Sequence, residues 1–285
     1  MRPKSSSLEI KSSLLLILLL ISSVGFSQRR GPRNRLETFL DTQFWLGIKL
    51  GINYTQASPD GRNTGFSPID YSADSLRKSY DDFALPGAHV GLEMNFYHRG
   101  FSASFQPAFK RGRYKYNSML EWTGLNSQFQ TVYNVEQRLD LIEFPLLLKY
   151  DVIQRGKIRP FVMVGGFHSI VISAQKDVKL DQVDLSTGTP LGSSGGIATL
   201  GVKEAFQNFS GLSGGIGLNL DYWNIRTVFE INYKHSLTSA TRPNAQQNEL
   251  ASLGEVNDEL LLRDLNISLS FVFPFRFIDQ QFKAL

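Results

Sequence analysis

The sequence predicts an all-β protein: an eight-stranded antiparallel transmembrane β-barrel with short periplasmic turns and long extracellular loops. Three observations carry that prediction. In residues 44–54, Phe44, Leu46, Ile48, Leu50, Ile52 and Tyr54 alternate with Trp45, Gly47, Lys49, Gly51 and Asn53. Successive side chains of a strand point to opposite faces, so this segment has one apolar face and one mostly small or polar face. It exceeds the usual soluble strand and matches what a tilted strand needs to cross a bilayer. Second, further segments repeat the pattern. Third, the connections between the segments alternate long and short.

The strands are expected in this order. The first covers about 44–56. The second, about 86–97, places Ala88, Val90, Leu92, Met94 and Phe96 opposite His89, Gly91, Glu93, Asn95 and Tyr97. The third, about 100–114, places Phe101, Ala103, Phe105 and Phe109 opposite Ser102, Ser104, Gln106 and Lys110. The fourth, about 135–150, ends with Ile142, Phe144, Leu146, Leu148 and Tyr150 opposite Glu143, Leu147 and Lys149. The fifth, about 158–173, alternates poorly, because residues 161–164 are apolar on both faces. The sixth (about 209–221), seventh (about 224–235) and eighth (about 263–275) return to clear alternation. Examples are Phe229 and Ile231 opposite Glu230 and Asn232, and Leu265, Ile267, Leu269, Phe271 and Phe273 opposite Asn266, Ser268 and Ser270.

Short connections fall near residues 98–100, 151–157 and 221–224, and long ones near 57–85, 115–134, 174–208 and 236–262. Short turns on the periplasmic side and long loops outside are the pattern of an outer-membrane barrel, and an even strand count returns both termini to the periplasm. The rival is a soluble eight-stranded barrel with its apolar face inward around a ligand. The Gly-, Ser- and Asn-rich polar face suits a crowded lumen, and long loops on one side only are unusual in a compact soluble domain. Pro145 lacks a ladder donor, so a local bulge is expected at Phe144–Pro145.

Residues 1–27 read as a secretory signal, with Arg2, Lys4 and Lys11 ahead of an apolar run from Leu14 to Ile21 and cleavage expected after Ser27. A periplasmic segment over 28–43, the barrel over 44–275 and a polar tail over 276–285 complete the division. There is no cysteine, hence no disulfide framework or thiol chemistry. The chain has 30 Lys+Arg against 26 Asp+Glu, a near balance that gives nucleic-acid binding no support. The 21 Phe and 10 Tyr suit aromatic girdles at two membrane interfaces.

Residues 141–150, Leu-Ile-Glu-Phe-Pro-Leu-Leu-Leu-Lys-Tyr, resemble a strand of the PorT-like outer-membrane β-barrel family of the Bacteroidota. Residues 159–166, Arg-Pro-Phe-Val-Met-Val-Gly-Gly, resemble the segment that follows it, and the ending Phe26-Ser27-Gln28 is similar to signals of that group. The resemblance implies an outer-membrane barrel and, through the family's name-giving members, assistance to protein secretion and gliding. The polar tail beyond Phe275 departs from a barrel that ends on a strand-terminal aromatic.

Lys49, Glu93, Lys110, Glu143, Lys149, Arg226, Glu230 and Lys234 all fall on the expected lumen face. A barrel of eight strands is just filled by its side chains, so these charges should pair with one another rather than form an ion or proton path. His168 and Ser169 invite comparison with outer-membrane lipid A acyl hydrolases, which use a Ser–His–carboxylate set, but as sequence neighbours they point to opposite faces and would need partners from adjacent strands. His89, His98 and His235 lack metal-ligand spacing. Residues 192–196 and 214–217 are glycine-rich without a phosphate-loop context, Asn53-Tyr-Thr55 is a glycosylation pattern inside a strand, and Asp81 and Asp82 lie in an outer loop within reach of divalent cations. No catalytic residue, cofactor site or metal site is assigned. The expected function is a non-enzymatic outer-membrane protein, structural or accessory in the envelope and supporting secretion or a surface complex. Its expected partners are outer-membrane lipid, lipopolysaccharide and other envelope or secretion proteins, with no nucleic acid. A lipid-modifying enzyme and a small-solute pore are the alternatives.

Overall fold

The computed structural model describes residues 42–61, 76–123, 128–154, 156–185, 187–188, 197–222, 225–242 and 257–275. Eight long stretches of strand close into a ring of antiparallel neighbours. They are β1 (Thr42–Gly61), β3 (Pro86–His98), the pair β4 (Phe101–Phe105) and β5 (Ala108–Thr123), β6 (Gln128–Asp151), β7 (Ile158–Asp184), β9 (Phe209–Tyr222), β10 (Ile225–Ser236) and β11 (Glu259–Pro274). β4 and β5 share one register against both neighbours and act as a single barrel strand. The ring is sealed by β1 against β11, and the chain ends it with Phe275 N–H donating to the Phe44 carbonyl. Two short strands, β2 (Leu76–Tyr80) and β8 (Ile197–Gly201), lie outside the ring order and pair with the outer ends of β5 and β7.

One turn shows how the sequence sets the short end. β3 and β4 are joined by Arg99 and Gly100 alone, both at positive φ (49° and 90°). Two such residues make the mirror-image turn whose twist matches a hairpin.

Outward-facing residues define the membrane band. On β1 they run Phe44, Leu46, Ile48, Leu50, Ile52, Tyr54 and then Gln56, and on β11 they run back from Phe273 through Phe271, Leu269, Ile267 and Leu265 to Arg263. At about 3.3 Å per residue and a tilt of about 40°, the run from Phe44 to Tyr54 rises ~25 Å, the height of an outer-membrane apolar band. β5 and β6 change at the same level, from Phe109 and Ile142 to the paired Arg111 and Asp140. Phe44, Phe96, Phe101, Tyr150, Tyr222 and Phe273 ring the short-turn end, with Phe101 and Tyr150 in ring contact at 4.8 Å.

Above that border the strands continue. The expected loop over 115–134 is instead mostly a hairpin, since β5 runs to Thr123 and β6 starts at Gln128, and the expected loop over 174–208 begins with strand as far as Asp184. The reason is an exchange of faces. Below the border the apolar residues point outward; above it Tyr114, Tyr116, Tyr133, Val135 and Leu139 point inward and Arg113, Lys115, Glu136 and Arg138 point outward.

No bulge occurs at Phe144–Pro145, where β6 keeps one register against both β4/β5 and β7. Pro145 faces Gln106, whose N–H donates to the Pro145 carbonyl at 3.1 Å, and the donor that proline lacks appears only as the interruption between β4 and β5. The bulge lies higher on β6, four residues from Pro145. Asp140 pairs with Ser173 and Leu141 with Val171, so Ile172 is the extra residue, at the membrane border.

The expected signal over 1–27, most of the segment over 28–43 and the tail over 276–285 lie outside the described residues, as does the glycine-rich run at 192–196.

If the outward face of β1 meets lipid, Ile48→Arg at mid-band should destabilise the barrel by about 2–4 kcal/mol. Asn117→Arg, outward but above the border, should change it by less than about 0.5 kcal/mol. Urea unfolding of both variants in phospholipid vesicles measures this, and equal effects would contradict the placement of the band.

Candidate functional site

The interior of a barrel is the first place to seek a site, and here buried charged and apolar side chains line it from end to end. At the periplasmic end Arg226 donates to Asp221 at 2.6 Å and stacks over Trp45, with its guanidinium carbon 4.0 Å from the ring centre. Arg159 bonds Asp221 and lies 3.3 Å from Asp151, which also accepts from Asn219 at 3.0 Å. Trp45, Tyr97, Leu147, Phe161, Met163, Val228 and Val272 pack around these groups. Phe161 and Met163 therefore explain the poor alternation of the fifth strand: its inward face at this level is an apolar layer.

The middle of the lumen holds two ion clusters. In the lower one Glu230 takes both Lys49 and Lys149, Lys149 also donates to Glu93 at 2.6 Å, and Lys49 donates to Gln106 at 2.8 Å. In the upper one Glu143 takes Lys234, Lys110 lies 2.6 Å from Asp264 and 3.5 Å from Glu143, and Thr55 donates to Asp264 at 2.6 Å. All eight side chains are buried, and four lysines face four carboxylates. The eight lumen residues predicted from sequence are all brought inside, and each has an oppositely charged partner.

Higher still the interior becomes apolar. Tyr114, Tyr116, Val135, Leu139, Leu141, Val178, Phe206, Phe209, Leu260 and Leu262 belong to one buried cluster that fills the outer end. Lys78 and Lys176 close over it. Lys78 reaches Asp258 at 3.2 Å, Lys176 donates to Asn257 at 2.9 Å, and both ammonium groups lie within 6 Å of the Tyr116 ring.

Such an interior can brace the barrel across its lumen. Burying a charge is costly unless it is paired and hydrogen-bonded, and four lysines against four carboxylates supply the pairing without a mobile ion.

Sequence reasoning missed Asp264, Asp151, Asp221 and Arg159, the partners that complete these clusters. The signal was present for Asp264: extending the alternation of Asn266, Ser268 and Ser270 by one step places it inward.

The histidines separate. His89 is buried beside Gly51, where an added Cβ would approach its ring to 2.7 Å, so the glycine makes room for it. His98 bonds Thr42 at the short-turn end at 2.8 Å. His235 faces outward at the border. His168 points to the lipid and Ser169 into the barrel, where its hydroxyl lies 3.4 Å from Glu143. The serine that His168 does meet is Ser210 of β9, also outward-facing, at 2.8 Å. Asn53 is buried inside and donates to the Arg111 carbonyl, which removes the glycosylation pattern. Asp81 pairs with Lys115 at 3.1 Å and Asp82 accepts from Gln56, so both face protein partners. Gly215 and Gly217 lie against neighbouring strands rather than in a phosphate loop.

One comparison agrees with this geometry on class. The outer membrane protein beta-barrel domain family matches residues 26–242, and the chain belongs to that family. It is an outer-membrane β-barrel protein. No curated protein matches it. Among solved structures, Neisserial surface protein A is 13% identical, covering 81% of this chain and 97% of that one at a TM-score of 0.31. Ail, the attachment invasion locus protein of Yersinia pestis, in complex with the heparin analogue sucrose octasulfate, is 10% identical, covering 81% and 99% at a TM-score of 0.29.

Glu230→Gln leaves Lys49 and Lys149 short of a buried countercharge and should cost about 3 kcal/mol or more. Adding Lys49→Met restores the balance and should recover part of that loss, a coupling read from urea midpoints in a double-mutant cycle. Additive effects would show that the pair does not brace the lumen.

Proposed function

We propose that this protein is a non-enzymatic scaffold of the outer membrane, PorT-like in kind, that supports a surface or secretion complex through its extramembrane sheet. The observation that carries the reading is the division of the barrel. The lumen is closed by paired charge, while β5, β6 and β7 rise above the membrane border with an outward face of Arg113, Lys115, Glu136 and Arg138. A lumen crossed by paired charge favours a scaffold over a transport path, and extramembrane surfaces on a rigid barrel are where binding resides. Export by a signal over residues 1–27 and contact with lipopolysaccharide around the outer rim belong to the same proposal.

A lipid-modifying activity draws on one observation, the lipid-facing His168–Ser210 hydrogen bond. Nucleophilic catalysis needs the base oriented by a third group, and among the described residues His168 has no carboxylate partner. The scaffold reading is therefore preferred.

Deletion of the gene, with mass spectrometry of secreted and surface proteins, tests the role. The scaffold reading expects loss of a defined set of those proteins, restored by the wild-type gene. An unchanged surface and secreted proteome together with altered lipid A acylation would replace it with the enzyme.

A further inference from the structure

The lipid-facing surface is apolar around most of the ring but broken at the seam between β7 and β9. His168 and Ser210 pair across that seam, at the level of Phe144 and one step below Ile170. They are hydrogen-bonded at 2.8 Å, and the Ser210 backbone N–H donates to the Thr238 hydroxyl at 2.9 Å. Polar side chains on the lipid face of a barrel destabilise it unless something polar meets them.

Directly above, at the level of Ile170, the surface opens into a depression of about 390 Å³ lined by Lys203, Glu204, Gln207, Asn208 and Arg242, with Val171 and Phe206 also in its wall. Lys203 and Arg242 come from distant parts of the chain and are held together by the backbone bond from Arg242 N–H to the Ala205 carbonyl at 2.9 Å. Both side chains are exposed, and neither is ion-paired among the described residues. Glu204 is the opposing charge, so the lining is net positive by one. Gln207 and Asn208 are already committed to the backbone, Gln207 to the Ser239 and Thr241 carbonyls and Asn208 to Val171 N–H, so they shape the wall.

Directly below, the same seam is shallow. Gly166 and Gly214 are the outward residues at successive levels, paired with Leu212 and Val164. An added Cβ would meet nothing nearer than 3.4 Å at Gly166 and 3.8 Å at Gly214, so neither is glycine for want of space. Glycine inside a strand often marks a bulge, a tight bend or a close approach by another group, and the β7–β9 register has no bulge at these two positions.

We propose that this seam holds a phosphate-bearing lipid of the outer leaflet: its phosphate in the depression beside Lys203 and Arg242, its hydroxyl-bearing headgroup against His168 and Ser210, and an acyl chain along Gly166 and Gly214. The order of the three features matches the order of the lipid's parts from water to hydrocarbon. Continuity with the apolar band favours a membrane lipid over a free phosphate. The inference rests on the lipopolysaccharide contact proposed above and is independent of the scaffold role, which the deletion experiment tests by itself.

The test is native mass spectrometry of the full chain, refolded in neutral detergent, titrated with bis-phosphorylated lipid A and with its dephosphorylated form. The wild type should bind the phosphorylated form about tenfold or more tightly than the other, as two basic contacts to one headgroup warrant. Lys203→Gln with Arg242→Gln should erase that preference, and Gly214→Val should weaken both forms. These are exposed or unobstructed positions, and an unchanged unfolding midpoint confirms that the variants fold. Equal binding of the two lipids by the wild type, an unchanged preference in the double variant, or complete competition by inorganic phosphate would each overturn the proposal.

Discussion

Eight strands enclose a space too narrow for bulk water, and into that space this chain places four lysines and four carboxylates. Their mutual neutralisation is the condition on which the barrel depends. The partners come from β1, β3, β5, β6, β10 and β11, so each ion cluster ties together strands that are not neighbours in the ring. The backbone ladder fixes each strand against the next, and the ion clusters tie across the lumen. Hydrogen bonds from Gln106 and Thr55 satisfy part of what the charges leave over.

The second constraint is the exchange of solvents along the barrel axis. Within the membrane, the outside meets hydrocarbon and the inside is polar. Beyond Arg111 and Asp140, the outside meets water and the inside becomes the apolar cluster around Tyr114, Tyr116 and Leu139. One set of strands is thus a membrane barrel in its lower part and an ordinary water-facing barrel in its upper part. The inversion needs no special residue, only a change in which face carries the apolar side chains. The closed upper part makes a firm base for the extramembrane sheet, and it moves any recognition to outer surfaces.

The strand number, the pairing order and the lumen face of every membrane segment but the fifth were legible from alternation and connection length. Their ends were not, for two physical reasons. In β5 and β6 the alternation continues but its sense inverts, so a reading that follows one apolar face stops at the border. In β7 the bulge at Ile172 slips the period by one, from Val171 inward to Ala174 inward, which ended the expected strand at 173. The expected bulge at Pro145 failed because a missing donor weakens one hydrogen bond without adding a residue. The partners of the lumen charges were only partly legible, since pairing is decided across strands distant in sequence. The His168–Ser210 contact, between residues 42 apart, was not legible at all.

The most direct test of a lumen sealed by balanced ion pairs is the conductance of the purified full chain in a planar lipid bilayer. The account predicts no stepwise current in the wild type at neutral pH over the voltages the bilayer sustains. Reproducible unitary steps from the folded wild-type protein would contradict it, because ions would then be crossing where lysines and carboxylates are held to be locked together.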